Sequence, residues 1–285
     1  MARKAGKAVV AALREDIDRL LAADPDVRAD ADDSVHQMRV ATRRLRSVLR
    51  SYRDLFDHHQ AAATVTELKW LADLLGVARD AEVRAARFED LLAGHDEVPA
   101  EVTEALVGAS RNAYTDAHAI VLTELDGMRY RHLAEVLQAW RTEPPLAADL
   151  AHEKARHVFD KVVRRDRKRL RKLVFAEPTA APAERVEMLH DIRKGAKRLR
   201  YSCEAAGEVL GTDATDLGTR AKRLQTVLGD HRDAVESREA ILAAAPGPNS
   251  TLYELLADAE EAAAGRSLAR YPAAAAFVSA AGLRV

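Results

Sequence analysis

The chain has 285 residues and a nearly balanced charge, with 44 Lys and Arg against 45 Asp and Glu, and 48% of its residues are hydrophobic. This composition favours a soluble, helical protein of one large domain or two ordinary ones, and no run approaches the roughly 20 apolar residues that a membrane span requires. The N-terminal segment is a poor signal peptide, because acidic residues closely follow its short apolar stretch, and the single Cys203 rules out an internal disulfide, so we expect a cytoplasmic protein.

Helices are predicted along the whole chain, because apolar residues recur every three or four positions and no segment alternates with a period of two. Asp32 or Asp33 can cap the second helix, and Gly76 and Gly229 suit helix ends. The fold class is therefore predicted to be all-α. The expected segments lie near 3–23, 33–57, 60–76, 79–94, 99–126, 129–142, 148–174, 183–210, 214–228, 231–244, 250–268 and 272–282.

Two phrases of the first half recur in the second half in the same order. HQMRVATRRLR (His36 to Arg46) matches HDIRKGAKRLR (His190 to Arg200), and LGVARD (Leu75 to Asp80) matches LGDHRD (Leu228 to Asp233). Matching order and spacing indicate two homologous repeats. The proline pair of TEPPL interrupts the helical pattern between them. The predicted repeats are 1–145 and 146–285, which together form one domain.

The second predicted helix carries a basic stripe beside its apolar face. Apolar side chains recur from Val35 to Phe56, and basic side chains recur one residue further on. A shift of one residue turns about 100° around a helix, so the basic stripe flanks the core face. From Ser34 to Arg53 there is no Asp or Glu, so the stripe lacks acidic partners on its own helix. The second repeat has a matching stripe, preceded by a third basic segment.

These segments supply the candidate groove residues, to which the Arg of each second phrase is added. They are His36, Arg39, Arg43, Arg44, Arg46, Arg50, Arg53, Arg79, Lys161, Arg165, Lys168, Lys172, His190, Arg193, Lys197, Arg198, Arg200 and Arg232.

A single charge run is ordinarily a solvated helix face. Arginines on two stripes that recur in register would repel each other, which favours a groove that binds a polyanion. For His36 and His190, a structural hydrogen bond and donation to an anion both stay open. Asp80 and Asp233 are expected to cap helices, and Cys203 is expected to be inert packing.

The four phrases resemble the CHAD family, the conserved histidine α-helical domain, over nearly the whole chain. The resemblance implies two pseudo-symmetric four-helix bundles packed around a basic central groove that binds inorganic polyphosphate. The E-x-E-x-K signature of the triphosphate-hydrolysing domain often fused to such domains is absent from this sequence, so we expect a stand-alone, non-catalytic binding domain. Lys7 and Arg14 correspond to Lys161 and Lys168, but Val10 and Ala11 correspond to Arg164 and Arg165, so the groove is expected to be asymmetric.

Three other functions are weighed against polyphosphate binding. His190-Asp191 is similar to the metal-binding pair of helical phosphohydrolases, but Gln37 replaces the aspartate in the first repeat and further ligands do not converge. HQMR is similar to the phosphoacceptor box of histidine kinases, but no ATP-binding domain follows. Nucleic acid could bind through non-specific charge, although the basic segments have few aromatic residues for stacking.

From these comparisons we expect no enzymatic activity, no metal and no cofactor. The expected partner is inorganic polyphosphate rather than a membrane. Association with polyphosphate granules in the cytoplasm is the location that this function implies.

Overall fold

The computed structural model describes residues 3–245 and 251–279, apart from the side chains of residues 182 and 183. In the first half the helices are α1 (Ala5–Arg28), α2 (Ser34–Ser51), α3 (His58–Leu92), α4 (Ala100–Thr103), α5 (Ala109–Asp126) and α6 (Met128–Trp140), with a π-helical turn (Glu104–Gly108) joining α4 to α5. In the second half they are α7 (Ala148–Ala151), α8 (Ala155–Ala176), α9 (Pro182–Leu210), α10 (Thr212–Ala244), α11 (Thr251–Ala269) and α12 (Tyr271–Ala275).

The all-α prediction is confirmed. Across the described ranges the chain forms no strand, and its two isolated bridges join Lys4 to Lys154 and Phe56 to Leu146. The segment expected at 148–174 is broken at the first of these bridges, where the Ala155 N–H donates to the Arg3 carbonyl. Residue 250 and residues 280–282 of two predicted segments lie outside the described ranges.

The helices of each half pack in the same order. In the first half α1 packs on α2, α2 on α3 and α3 on α5, and in the second half α8 packs on α9, α9 on α10 and α10 on α11. Contacts of α2 with α9 and of α1 with α8 join the halves, and one continuous hydrophobic core runs through both. The basic stripes therefore lie on helices that meet at the centre of the molecule.

The predicted core faces of α2 and α9 are buried, which fixes the orientation of the stripes. Thr42 fits this face because its hydroxyl donates to the Met38 carbonyl at 2.8 Å. The buried positions are Val35, Met38, Thr42, Leu45, Leu49, Tyr52 and Phe56 in the first repeat, and Leu189, Ile192, Ala196, Leu199 and Cys203 in the second.

Two helices are longer than predicted. The segments expected at 60–76 and 79–94 form the single helix α3, and those at 214–228 and 231–244 form α10. The prediction that Gly76 and Gly229 end helices is therefore wrong. Both are buried inside a helix, and the lack of a side chain leaves room for an arginine of the neighbouring helix.

Asp33 occupies the position before α2, as predicted, but it does not cap the helix backbone. Its φ is 54°, a left-handed conformation that Asp tolerates better than most residues. Its carboxylate accepts hydrogen bonds from the Gln37 side chain at 2.7 Å and from Arg79 at 3.3 Å. Asp33 thus connects α2 to α3.

Candidate anion-binding groove

Five basic side chains from the two halves come together where α2 and α9 meet. Arg39, Arg43 and Arg46 come from α2, and Arg193 and Lys197 come from α9. All five are half-buried. Burial, followed by the positive charges of the four arginines, lowers the pKa of Lys197 to about 6. We call these five residues the central cluster; they unite both predicted stripes in one site.

The central cluster is largely without neutralising carboxylates. Among the residues that the structure describes, none places a carboxylate oxygen within 4.0 Å of Arg43, Arg46, Arg193 or Lys197. Burial, together with the positive charges of the neighbouring arginines, lowers the pKa of Arg43 to about 10. The cluster is thus a concentrated positive charge held between two helices.

Three guanidinium groups of the central cluster have an unsatisfied donor. The Nε atoms of Arg39, Arg43 and Arg193 are buried and lack a hydrogen-bond partner within the described chain. Leaving such a buried donor unpaired typically costs about 1–3 kcal/mol, and more for a charged group. An anion that accepts these hydrogen bonds would remove both this cost and the repulsion among the cations.

The second phrase of each repeat contacts the first arginine of the first phrase, which is Arg39 in one half and Arg193 in the other. A Cβ built on Gly76 would lie 3.5 Å from Arg39 Nη2, and one built on Gly229 would lie 3.5 Å from Arg193 Nε. Asp80 lies one turn beyond Gly76 and its carboxylate is 3.3 Å from Arg39 Nη2. The glycine thus admits the guanidinium and the aspartate attracts it.

In the second repeat the aspartate at the equivalent place is Asp233. Burial raises its pKa, and the nearby charge of Arg193 opposes that rise. Neither Asp80 nor Asp233 caps a helix, because each is inside a long one, which corrects the capping prediction. The sequence offered one signal for this role, since Gly and Asp four residues apart share a helix face.

A His–Arg pair lies beside the stripe in each half. Arg232 donates to His190 Nδ1, which leaves the proton of a neutral ring on Nε2. Burial is the main cause that lowers the pKa of His190, with Lys194 and Arg232 adding to it. Burial and then Arg79 lower the pKa of His36 in the same way. Both histidines are therefore neutral near pH 7.

Arg44 and Arg200 lie apart from the central cluster, contrary to the sequence-based placement. Arg44 follows Arg43 by one residue, so it faces the other flank of α2, where it pairs with Asp16 at 2.8 Å and Glu204 at 2.7 Å. Arg200 Nε donates to Glu204 at 2.7 Å. The partners of Arg44 come from α1 and α9, so they could not be found on α2 itself, whereas the partner of Arg200 lies four residues further along its own helix.

Other predicted site residues line a separate depression at the end of α2. Arg165 contacts the Ser51 carbonyl there and lies 3.8 Å from the Asp54 carboxylate. The depression is not lined by the three predicted lysines of α8, which are exposed elsewhere on that helix: Lys161, Lys168 and Lys172. We call its five arginines the arginine corner: Arg50, Arg53, Arg165, Arg169 and Arg198. Arg169 was not among the predicted site residues.

The family model of the CHAD domain matches residues 11–242. The chain belongs to the CHAD family. It is 41% identical over 253 residues to the uncharacterized protein Rv2226 of Mycobacterium tuberculosis strain H37Rv, and 40% identical to MT2285 of strain CDC 1551. Each alignment covers 86% of this chain and 48% of the relative, so the chain spans about half the length of these curated relatives.

Two solved structures share the fold of this CHAD protein. PptA from Streptomyces chartreusis superposes with a TM-score of 0.78 at 20% identity, covering 95% of this chain and 99% of PptA. The CHAD domain from the plant Ricinus communis has a TM-score of 0.72 at 22% identity, covering 99% and 94% of the two chains. Identities this low support the fold alone.

Two features of the described residues bear on the alternatives. Among them, no helix is long and apolar enough to cross a bilayer. No group of three or more His, Cys, Asp or Glu side chains in the same part of the chain could hold a metal ion.

Proposed function

We propose that this CHAD protein binds inorganic polyphosphate in the central cluster and does not hydrolyse it. The observation that carries the proposal is the meeting of four arginines and one lysine from two helices, three of the arginines with a buried, unpartnered Nε. A phosphate chain carries negative charge at every unit and accepts hydrogen bonds from arginine forks. It therefore matches both the charge and the unsatisfied donors of the cluster.

The aromatic residues near the stripes favour polyphosphate over single-stranded nucleic acid. Sequence-independent binding of single strands uses aromatic rings on which bases stack. Tyr52 and Tyr201 are buried, and the guanidinium of Arg200 lies 5.2 Å from the ring centroid of Tyr201. These two rings thus have no free face for a base, and non-specific attraction of nucleic acid would rest on charge alone.

The surroundings of His190 support a binding role rather than hydrolysis. Asp191 pairs with Lys194 at 2.9 Å, and His190 is held by Arg232. The two residues of the phosphohydrolase-like phrase therefore have separate partners. We include the absence of catalysis, and a cytoplasmic site of action at polyphosphate stores, in the proposal.

The test is a comparison of ligands with the purified protein. We expect polyphosphate to bind more tightly than single-stranded DNA of equal charge or than ATP, with an affinity that falls steeply as salt rises because counterions are released on binding. Equal affinity for DNA and polyphosphate would show that the site binds any polyanion and has no specificity for polyphosphate. Steady phosphate release from polyphosphate would show that the protein is a hydrolase and would contradict the proposal.

A further inference from the structure

The arginine corner has an equivalent in the other half of the molecule. The repeated phrase aligns Arg44 with Arg198, and six residues further on the same alignment places Arg50 opposite Glu204. On the preceding helices, Glu15 of α1 corresponds to Arg169 of α8. Arg44, Glu204 and Glu15 line one depression between α1, α2 and α9, while their counterparts line the arginine corner between α8, α9 and α2.

The two equivalent depressions have opposite charge. The first, which we call the acidic corner, is lined by four carboxylates, Glu15, Asp16, Glu204 and Glu208, and by two arginines that already pair with them. Arg44 pairs with Asp16 and Glu204, and Arg3 pairs with Glu208. In the arginine corner, glutamates are replaced by Arg50 and Arg169. An anion is therefore attracted to one corner and repelled from the other.

The carboxylates of the arginine corner leave much of its charge free. Asp166 is fully buried, accepts hydrogen bonds from the Ser51 and Ser202 hydroxyls at 2.9 and 2.6 Å, and pairs with Arg165 Nε at 3.3 Å. Among the described residues, no carboxylate oxygen lies within 4.0 Å of Arg50 or Arg198. Five arginines thus face a shallow surface where Asp54 is the exposed acidic neighbour.

The central cluster and the arginine corner are electrostatically continuous. Burial lowers the pKa of Arg46, and the charge of Arg50 lowers it further, so these side chains are neighbours. From Arg43 to Arg50 the path follows two turns of α2, roughly 10 Å at about 1.5 Å per residue. No equivalent path leads to the acidic corner, because Glu204 stands where Arg50 would be.

We propose that a bound phosphate chain extends from the central cluster over Arg46 and Arg50 into the arginine corner, in this one direction only. The inference rests on the proposed function and refines it. A chain that fits within the central cluster gains nothing from the corner, whereas a longer chain adds arginine–phosphate hydrogen bonds there. The arginine corner thus makes the site prefer long linear polyphosphates over short ones.

The test replaces Arg169 by glutamate, the residue found at the equivalent position Glu15, in the variant Arg169→Glu. Arg169 is exposed, and glutamate and arginine are similar helix formers. Its contact with Asp166 is long, 3.9 Å, and Asp166 keeps Ser51, Ser202 and Arg165 as partners when Arg169 is replaced. We expect affinity for chains of many phosphates to fall about tenfold, as expected for loss of a phosphate contact and gain of a repulsive charge, and tripolyphosphate affinity to stay within about twofold. Arg171→Glu is the matched control, because it makes the same charge change on the far side of α8.

Each outcome separates this inference from the proposed function. If the unaltered protein binds neither ligand, the proposed function fails. If it binds both and Arg169→Glu weakens them equally, or Arg171→Glu acts as strongly, then the corner is not a distinct part of the site. Arg169→Gln, which adds no repulsion, gives a second check if Arg169→Glu lowers helicity; an unchanged long-chain affinity in Arg169→Gln would overturn the inference.

Discussion

The guanidinium of Arg39 lies against Gly76, so that a Cβ on Gly76 would be 3.5 Å from Arg39 Nη2. This distance is ordinary van der Waals contact, and a larger side chain would need the space of the guanidinium itself. The same relationship holds between Arg193 and Gly229 in the other half. The neighbouring arginine therefore explains why a small residue, glycine or alanine, is needed at these places in two long helices.

Gly76→Ala and Gly76→Leu should separate helix stability from binding. Alanine fits at 3.5 Å and should stabilise α3 by up to about 1 kcal/mol, because glycine is a poor helix former. Leucine should displace Arg39 and weaken polyphosphate binding several-fold while helicity is kept. Thermal melting and binding titrations of both variants check this. Full affinity in Gly76→Leu would show that the position of Arg39 is unimportant.

The sequence predicted the helices and core faces because these depend on a period that is visible in a single segment. It failed at Gly76 and Gly229, where the usual association of glycine with helix ends was overridden by a contact with another helix. Arg44 was misplaced for a similar reason. Its charge partners Asp16 and Glu204 are distant in sequence, so no local pattern could assign them to it.

The joint replacement Arg39→Ala and Arg193→Ala tests whether the stripes bind polyphosphate. Both side chains belong to the central cluster and both have a buried, unpartnered Nε. We expect a large loss of affinity. The slope of log K against log salt concentration should also become shallower, by roughly 0.9 for each phosphate contact removed. Helicity should stay intact, and melting should stay near that of the original protein or rise, because repulsion among like charges is relieved.

The control for this double variant is Arg266→Ala, an exposed residue of α11 outside the basic segments. It should bind normally. If the double variant also binds normally, or unfolds, the stripes are structural and the proposed function loses its main support.

The stability of the unliganded protein should increase with pH because of Lys197. Its pKa is lowered to about 6 in the folded state, against an ordinary value of 10.5. Between these two values the unfolded chain binds more protons than the folded one, so stability increases with pH. The pKa of His36 and of His190 is lowered from an ordinary value of 6.5, so both are neutral at pH 7 and above. Lys197→Met should melt higher than the original protein at pH 7, with a difference that shrinks toward pH 10.

Polyphosphate binding should raise the pKa of Lys197, which burial lowers in the unliganded protein. A bound anion favours the charged amine and raises its pKa, so binding near pH 7 takes up a proton and affinity falls from pH 6 to pH 8. Titration calorimetry in buffers with different ionisation heats measures this uptake. Lys197→Arg keeps a charge at all these pH values and should lose the uptake. Equal proton uptake in Lys197→Arg would assign the linkage to another group.

The ion pair of Arg87 with Glu260 should matter for stability and not for binding. The Glu260 side chain is fully buried, and its two carboxylate oxygens contact the Arg87 guanidinium, which joins α3 to α11. Breaking a buried pair by removing one partner typically costs about 3–5 kcal/mol, and the partial exposure of Arg87 places the cost of Glu260→Ala at the lower end. Urea unfolding measures that cost. Polyphosphate affinity at low temperature should be unchanged, since neither residue belongs to the central cluster or to the arginine corner. A variant that kept its stability but lost affinity would mean that the contact between α3 and α11 shapes the groove.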